Sequence, residues 1–587
     1  MKLKIFDKKF ECIWIALIIT LMLAATFDQY EYTYDQLRNL VVSDEILERG
    51  IPTYFGQNFY KHPPLFYYAV SFTSLSGISI YTAGQIVVLL FAFLSVVFVY
   101  KLGNELFERN FARLSAVLFG VSPAFWVWGN RVLHETIIYL FFTASLYFLL
   151  LGVKKEKTRD WVFFGLLLGL GMLAKVVILL VIPISFFIFV FSSKVIRIGK
   201  RTSYVNLHLV GKAILSLIIA FLVYFPYMIY KLVNRGPGIL AIWVEHIRGD
   251  IPWASKVVST PWYYYILNLH ETISVAFVAL FSAGLIFMVM KKEKRLLLPL
   301  VWFLVLIAFF SFPAYKESRL INALFPAAVF ISVYGLFKIS KKIGRMAHTE
   351  PQKILVLLSV LVVAVQSFSS LSVVTNDGHW PSDWKMWGYL KGIRDDGGVI
   401  VSDYDYAAIR YFTGKYSDPL VWGSEAHDIL DGMMRSSVYY IYKNNANISR
   451  DHFQKIRQFG ECNCSLYRIK DEFMNNVTFL KTLGDGKPIE GVLIQVFDEN
   501  GDMLYKVRSN KNGDAFLPLN DGYYHLKGEK ICYDKTEAYV ELRDREVYEC
   551  EQAGVSFPYR FNCSGEKYAM NMHYRGCFYH NFTRARF

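Results

Sequence analysis

From about residue 12 to residue 375, apolar runs near 20 residues long alternate with short charged loops. A helix rises about 1.5 Å per residue, so each run is long enough to cross a hydrocarbon core about 30 Å thick. Eleven such runs begin near residues 12, 84, 111, 133, 161, 177, 209, 271, 296, 320 and 353. After Val374 the pattern changes: Asp, Gly, Asn and Lys are spread throughout, and no later run is long enough to span. The expectation is an α-helical polytopic membrane protein of about 11 transmembrane helices over residues 1–375, followed by a water-exposed C-terminal portion.

That C-terminal portion divides by its periodicity. Residues 376–475 mix helical and strand patterns, and "GVIVSDYDYAAIRYFTG" reads as a buried strand, a turn and a helix, which predicts a small α/β domain. Residues 476–552 show short alternating strands such as "GVLIQVFD" and "DMLYKVRS", separated by "ENGD", "NKNGD" and "NDG" turns. These predict an antiparallel β-sandwich, similar to the carboxypeptidase-regulatory-like, Ig-type modules. Residues 553–587 form a Cys-rich, aromatic tail expected to need disulfides for order.

Charge adds an orientation. Lys2, Lys4, Lys8 and Lys9 precede the first run, and basic clusters at 154–159, 194–201, 291–295 and 338–345 follow later ones. With eleven spans all of them fall on one face, and cytoplasmic loops retain Lys and Arg. The N-terminus is therefore expected in the cytoplasm and the C-terminal portion outside the cell membrane. These clusters account for much of the +14 net charge, so no nucleic-acid partner is read from it. No small-residue cleavage site follows the first run, which is taken as a retained signal anchor.

Cysteine usage agrees with this orientation. Cys12 lies at the first run, whereas Cys462, Cys464, Cys532, Cys550, Cys563 and Cys577 are all in the tail. Six cysteines in an oxidising compartment suggest about three disulfides, with about fifteen pairings open. A zinc site is the rival, but paired C-x-x-C units are missing from the sequence. Asn447, Asn463, Asn476, Asn562 and Asn581 each begin an N-x-[ST] triplet, consistent with a glycosylated exterior.

The first external loop carries the chemistry. In "YTYDQLRNLVVSDEILERGIPTYFGQNFYKHPPLFYYAVSF", Leu37, Leu40, Val41 and Leu47 recur at helical spacing, which predicts an amphipathic helix along the membrane surface. Asp35 at its start is either an N-cap or a catalytic carboxylate at the membrane boundary. Arg131, Lys175, Lys316 and Arg319 lie near external span ends, where they either neutralise a phosphate or snorkel to headgroups. His270 and Glu271 are weaker candidates, and Tyr263, Tyr264 and Tyr265 read as an interfacial aromatic belt.

The order of an acid opening a surface helix, a Gly-Ile-Pro break and "YKHPPLFYY" resembles the first external loop of the C-type membrane glycosyltransferases. The similarity runs on through "YKLGNELFERNFARLSAVLFGVSPAFWVWGNRVLHETIIYLFFTASLYFLL", "GLLLGLGMLAK" and "FFSFPAYKESRLINALFPA". It points to the protein O-mannosyltransferases, the lipid A aminoarabinose transferases and their archaeal relatives. The resemblance implies Asp35 as general base and matches Lys316 and Arg319 to the family's Lys-x-x-Arg signal. The chemistry of a departing phosphate makes Arg131, Lys175, Lys316 and Arg319 candidate donor phosphate ligands, with His62, His134 and Glu135 as candidate substrate-orienting groups. Where relatives have Asp-Glu this chain has Asp35-Gln36, and where bacterial relatives have Glu-Lys-Pro-Pro it has Lys61-His62-Pro63-Pro64. The second departure removes a proposed metal-binding carboxylate. No metal ligand is therefore assigned, and a divalent cofactor stays open.

The expected activity is transfer of one sugar, with inversion, from a polyprenyl (dolichyl)-phosphate-linked donor to an acceptor hydroxyl at the extracytoplasmic face. A glycan, a glycolipid or, in protein O-mannosylation, a protein would be the acceptor. The rival of another class is a transporter or lipid flippase carrying an ectodomain, which would place polar sites near the bilayer midplane and in internal repeats.

Overall fold

The computed structural model describes residues 11–25, 34–54, 57–60, 62–191, 196–198, 203–234, 261–269, 274–313, 316 and 318–376, and beyond them residues 389–392, 411, 492, 509 and the strands named below. Two compact units emerge: one comprises residues 1–31 and 60–378, the other residues 32–59 and 379–587.

The first unit is helical, and helices cover every one of the eleven apolar runs. Among the described residues, six are long and apolar enough to cross a membrane: Ile80–Leu106, Glu135–Lys155, Leu207–Val233, Lys294–Ser311, Leu320–Met346 and Pro351–Ser369. The pair Arg109–Gly120 and Pro123–Gly129 makes a seventh if taken as one span bent by 54°. The bend follows from local chemistry: Ser122 Oγ accepts from the Phe125 amide, and Pro123 begins the new helix where no amide is needed. Glu11–Ala24, Val176–Val190 and Val275–Lys291 are shorter apolar helices.

Glycines bring helix backbones into close contact at several places among the described residues. Thr158–Ala174 packs along Leu207–Val233, and Val275–Lys291 along Phe325–Met346. A Cβ on Gly165 would lie 2.4 Å from the Ser216 carbonyl oxygen, and one on Gly284 2.1 Å from that of Ile331. Without a hydrophobic drive between helices in lipid, such small-residue seams supply the packing. Basic residues collect at one end of the bundle: Arg109 and Arg113 pair with Glu11, Lys154 and Lys155 approach Glu105, and Arg295 pairs with Glu293. Tyr265, assigned to an aromatic belt from sequence, is instead buried, while Trp262 and Tyr263 are exposed.

In the second unit, a five-stranded mixed sheet runs in the order Ser417–Pro419, Ile400–Ser402, Tyr439–Tyr442, Cys464–Ile469, Phe453–Phe459. A six-stranded antiparallel sheet has the order Met503–Arg508, Leu493–Phe497, Gly522–Glu529, Thr536–Arg543, Glu546–Gln552, Phe561–Lys567. A further small sheet joins Lys487–Pro488, Thr478–Gly484, Asp514–Leu517 and Met570–Met572. The expected boundary at 552 therefore cuts through paired structure. Phe561–Lys567 and Met570–Met572 satisfy backbone groups of earlier strands that would otherwise be open edges. In that register Cys550 stands directly opposite Cys563.

Candidate active site

The helix Tyr34–Arg49 begins as the sequence predicts, and Asp35 lies in its first turn, where the helix dipole favours a carboxylate. Arg38 is one turn on, and its guanidinium lies 2.5 Å from the Asp35 carboxylate. The Arg38 side chain is 3% exposed and that of Asp35 20%. Phe59 packs under the guanidinium at 5.7 Å. The helix ends at Gly50, whose φ of 75° is the left-handed conformation that favours glycine. The chain then turns into a short hairpin, Thr53–Tyr54 with Gln57–Asn58, and the Thr53 hydroxyl donates to Glu45 at 2.5 Å.

The amphipathic helix expected here is buried on more than its apolar side. Leu37, Leu40 and Val41 are buried, but so are Gln36, Arg38, Asn39, Ser43 and Glu45, while Leu47 is exposed. The apolar periodicity located the helix, but the polar residues opposite it serve internal pairing: Ser43 donates to the Asn39 carbonyl, and Glu45 accepts from Thr53.

In the helical unit, four of the expected residues meet. His134 is buried at the N-cap of Glu135–Lys155, its ring 4.9 Å from that of His62, 4.5 Å from Phe66 and 5.2 Å from Tyr67. Glu135 follows at the first helical position and pairs at 3.7 Å with Lys175, the C-cap residue of Thr158–Ala174. Here the acid is 4% exposed and the lysine 23%. Arg131 precedes this cluster in the same turn, buried with its guanidinium 5.4 Å from the Trp128 ring.

Lys316 is buried and donates to the Pro313 carbonyl at 2.7 Å. Burial holds its ammonium below the ordinary lysine pKa, because desolvation penalises the charged form. The backbone of Arg319 lies in the short helix Ser318–Leu324, which packs against Glu135–Lys155; its side chain is outside the described residues, as are His270 and Glu271. No group of three or more His, Cys, Asp and Glu able to hold a metal occurs among the described residues.

Sequence reasoning missed Lys231 and Tyr227. Both are buried in the Leu207–Val233 helix, four residues apart and hence on one face. The signal was present in "YFPYMIYKLV", but a lysine at a span end reads first as a snorkelling one.

Residues 61–224 match the dolichyl-phosphate-mannose-protein mannosyltransferase family, and residues 253–383 the Alg9-like mannosyltransferase family. Over 369 residues the chain is 22% identical to the undecaprenyl phosphate-α-4-amino-4-deoxy-L-arabinose arabinosyl transferase of Photorhabdus laumondii, covering 60% of this chain and 64% of that protein. A stretch of 164 residues, 28% of the chain, is 27% identical to the tRNA-guanine(15) transglycosylase of Methanocaldococcus jannaschii, of which it spans 24%. Among solved structures, ArnT from Cupriavidus metallidurans bound to undecaprenyl phosphate superposes with a TM-score of 0.56 at 10% identity, over 78% of this chain and 97% of that one. The Archaeoglobus fulgidus oligosaccharyltransferase tethered to an acceptor peptide gives 0.54 at 10% identity, over 89% and 97%. At that identity the likeness is one of fold. Two mannosyltransferase family models thus match separate parts of the chain, and its fold is like that of the membrane glycosyltransferases of the C type, GT-C.

Proposed function

We propose that the protein transfers a sugar, with inversion, from a polyprenyl-phosphate donor to an acceptor hydroxyl outside the membrane. Asp35 is the general base in this reading. The observation that carries it is the Asp35–Arg38 pair: the carboxylate is the accessible member, held in place by a buried guanidinium on its own helix. An N-cap needs no such support.

The acceptor hydroxyl loses its proton to Asp35 as its oxygen attacks the anomeric carbon from the face opposite the phosphate. The anomeric carbon–oxygen bond breaks, and its electron pair leaves with the polyprenyl phosphate. Arg131, Lys175, Lys316 and Arg319 offset the charge on that leaving group, with arginine suited to two-point contact. His62, His134 and Glu135 form the wall against which the sugar is oriented. The basic end of the bundle is the cytoplasmic one, and the C-terminal unit is extracytoplasmic. A divalent metal is not assigned a role.

A protein acceptor is the second reading, and the match of residues 61–224 to a protein mannosyltransferase family favours it. The test is to incubate purified protein with a panel of polyprenyl-phosphate sugars, with and without peptide and glycolipid acceptors, and to measure release of polyprenyl phosphate. Release that depends on one donor supports the proposal. No release with any donor, from protein shown to be folded, overturns it in favour of a transporter.

A further inference from the structure

Lys231 sits in the last turn of Leu207–Val233, a helix whose spanning stretch is only 22% buried. Leu217, Ile218, Phe221, Leu222, Phe225, Ile229 and Leu232 are exposed along it, as lipid contact requires. Lys231 does the opposite: the residue is 6% exposed, its ammonium 5.9 Å from the centre of the Tyr227 ring. Among the described residues no carboxylate pairs with it. The neighbouring Tyr227 hydroxyl is buried and has no hydrogen-bond partner among the described residues. Tyr224 and Tyr230 flank that ring at 5.7 and 6.2 Å, and Tyr60 stands 6.0 Å from Tyr230.

A lysine at a helix C-terminus has an ordinary explanation, since it complements the helix dipole, but an exposed lysine does that equally well. A lysine this enclosed, with no carboxylate beside it and a buried hydroxyl lacking a partner next to it among the described residues, leaves polar groups that an anion would complete. The two lysines expected from sequence differ in this respect: Lys175 has Glu135 beside it, and Lys316 donates to a carbonyl.

We propose that Lys231 and Tyr227 bind the phosphate of the lipid carrier, the ammonium pairing with one phosphate oxygen and the phenol donating to another. The apolar outer surface of the same helix suits a lipid-borne phosphate better than a free one. This assignment rests on the donor class proposed above and adds two residues to it.

The experiment measures binding of undecaprenyl phosphate, undecaprenol and inorganic phosphate to the full-length protein in phosphatidylcholine nanodiscs. Wild type is compared with Lys231→Met, Lys231→Arg and Tyr227→Phe. A hydrogen bond to a charged group is worth about 10- to 100-fold in affinity. Lys231→Met should therefore weaken undecaprenyl phosphate by about that factor and leave undecaprenol unchanged, and Lys231→Arg should restore binding to within a few-fold. Tyr227→Phe, which keeps the ring and the packing, should cost about 3- to 10-fold. Wild-type binding that neither Lys231→Met nor Tyr227→Phe alters overturns the site alone. If Lys231→Met does not fold, an unchanged affinity in Tyr227→Phe overturns it as well. Phosphate binding that inorganic phosphate reproduces without lipid overturns the lipid assignment. Wild type that binds no polyprenyl phosphate removes the donor reading, and this site with it.

Discussion

The protein holds two carboxylate–cation pairs at candidate positions, and they are opposite in what they present. In the first, Asp35 is 20% exposed and Arg38 3%. In the second, Glu135 is 4% exposed and Lys175 23%. A buried partner fixes the accessible one in place, so the first pair offers a carboxylate and the second a cation. In the proposed reaction the first would accept a proton and the second would contact an anion.

The strongest way to break this comparison is Asp35→Asn. It keeps the size of the side chain and most of its helix-start preference while removing proton acceptance. Turnover should fall by about 10²- to 10⁴-fold with donor affinity nearly unchanged, measured together on folded protein. Near-normal turnover would return Asp35 to a structural role and remove the base from the mechanism.

The second pair is tested by stability. Lys175→Met leaves the buried Glu135 without its counter-charge and should cost about 2–4 kcal/mol, less than for a fully buried pair because Lys175 reaches water. Glu135→Gln added to it should restore most of that loss in thermal unfolding while donor affinity stays reduced. A double variant that regains affinity as well would show that Lys175 does not contact the donor. The smallest effect is expected from Arg38→Lys, which keeps the charge and loses the planar fork. Turnover should drop about 3- to 10-fold without a change in donor affinity. An unchanged rate would mean that Arg38 does not position Asp35.

Hydropathy made the helices legible, because each apolar run lies on one. It did not show which of them are interior. Glu135–Lys155 and Leu207–Val233 have equal mean hydropathy, yet 83% of the first stretch is buried and 22% of the second. Lipid and a helix bundle interior are similarly apolar, so transfer from water does not distinguish them. The same limit explains the site. Asp35 could be read because an acid opening a periodic helix is a local pattern, whereas the His62–His134 contact joins residues remote in sequence. Lys231 was readable only as a span-end lysine until its burial was known. In the Tyr34–Arg49 helix, periodicity marked Leu37 and Leu40 but gave no hint that Arg38 and Glu45 would be buried beside them.

The glycine seams bear on how such a bundle can change shape. At Gly284 and Gly335, and again at Gly165 and Gly169, one helix backbone rests on another with no layer of adjustable side chains between them. Sliding would bring a ridge onto a carbonyl, so each pair behaves mechanically as a single strut. In the proposed reaction, strain from a long-chain lipid donor would then be taken up elsewhere. The natural joint is the 54° break between Arg109–Gly120 and Pro123–Gly129, which lies just ahead of Arg131 and His134. Flexing there would move the candidate phosphate and sugar contacts while both struts stay rigid.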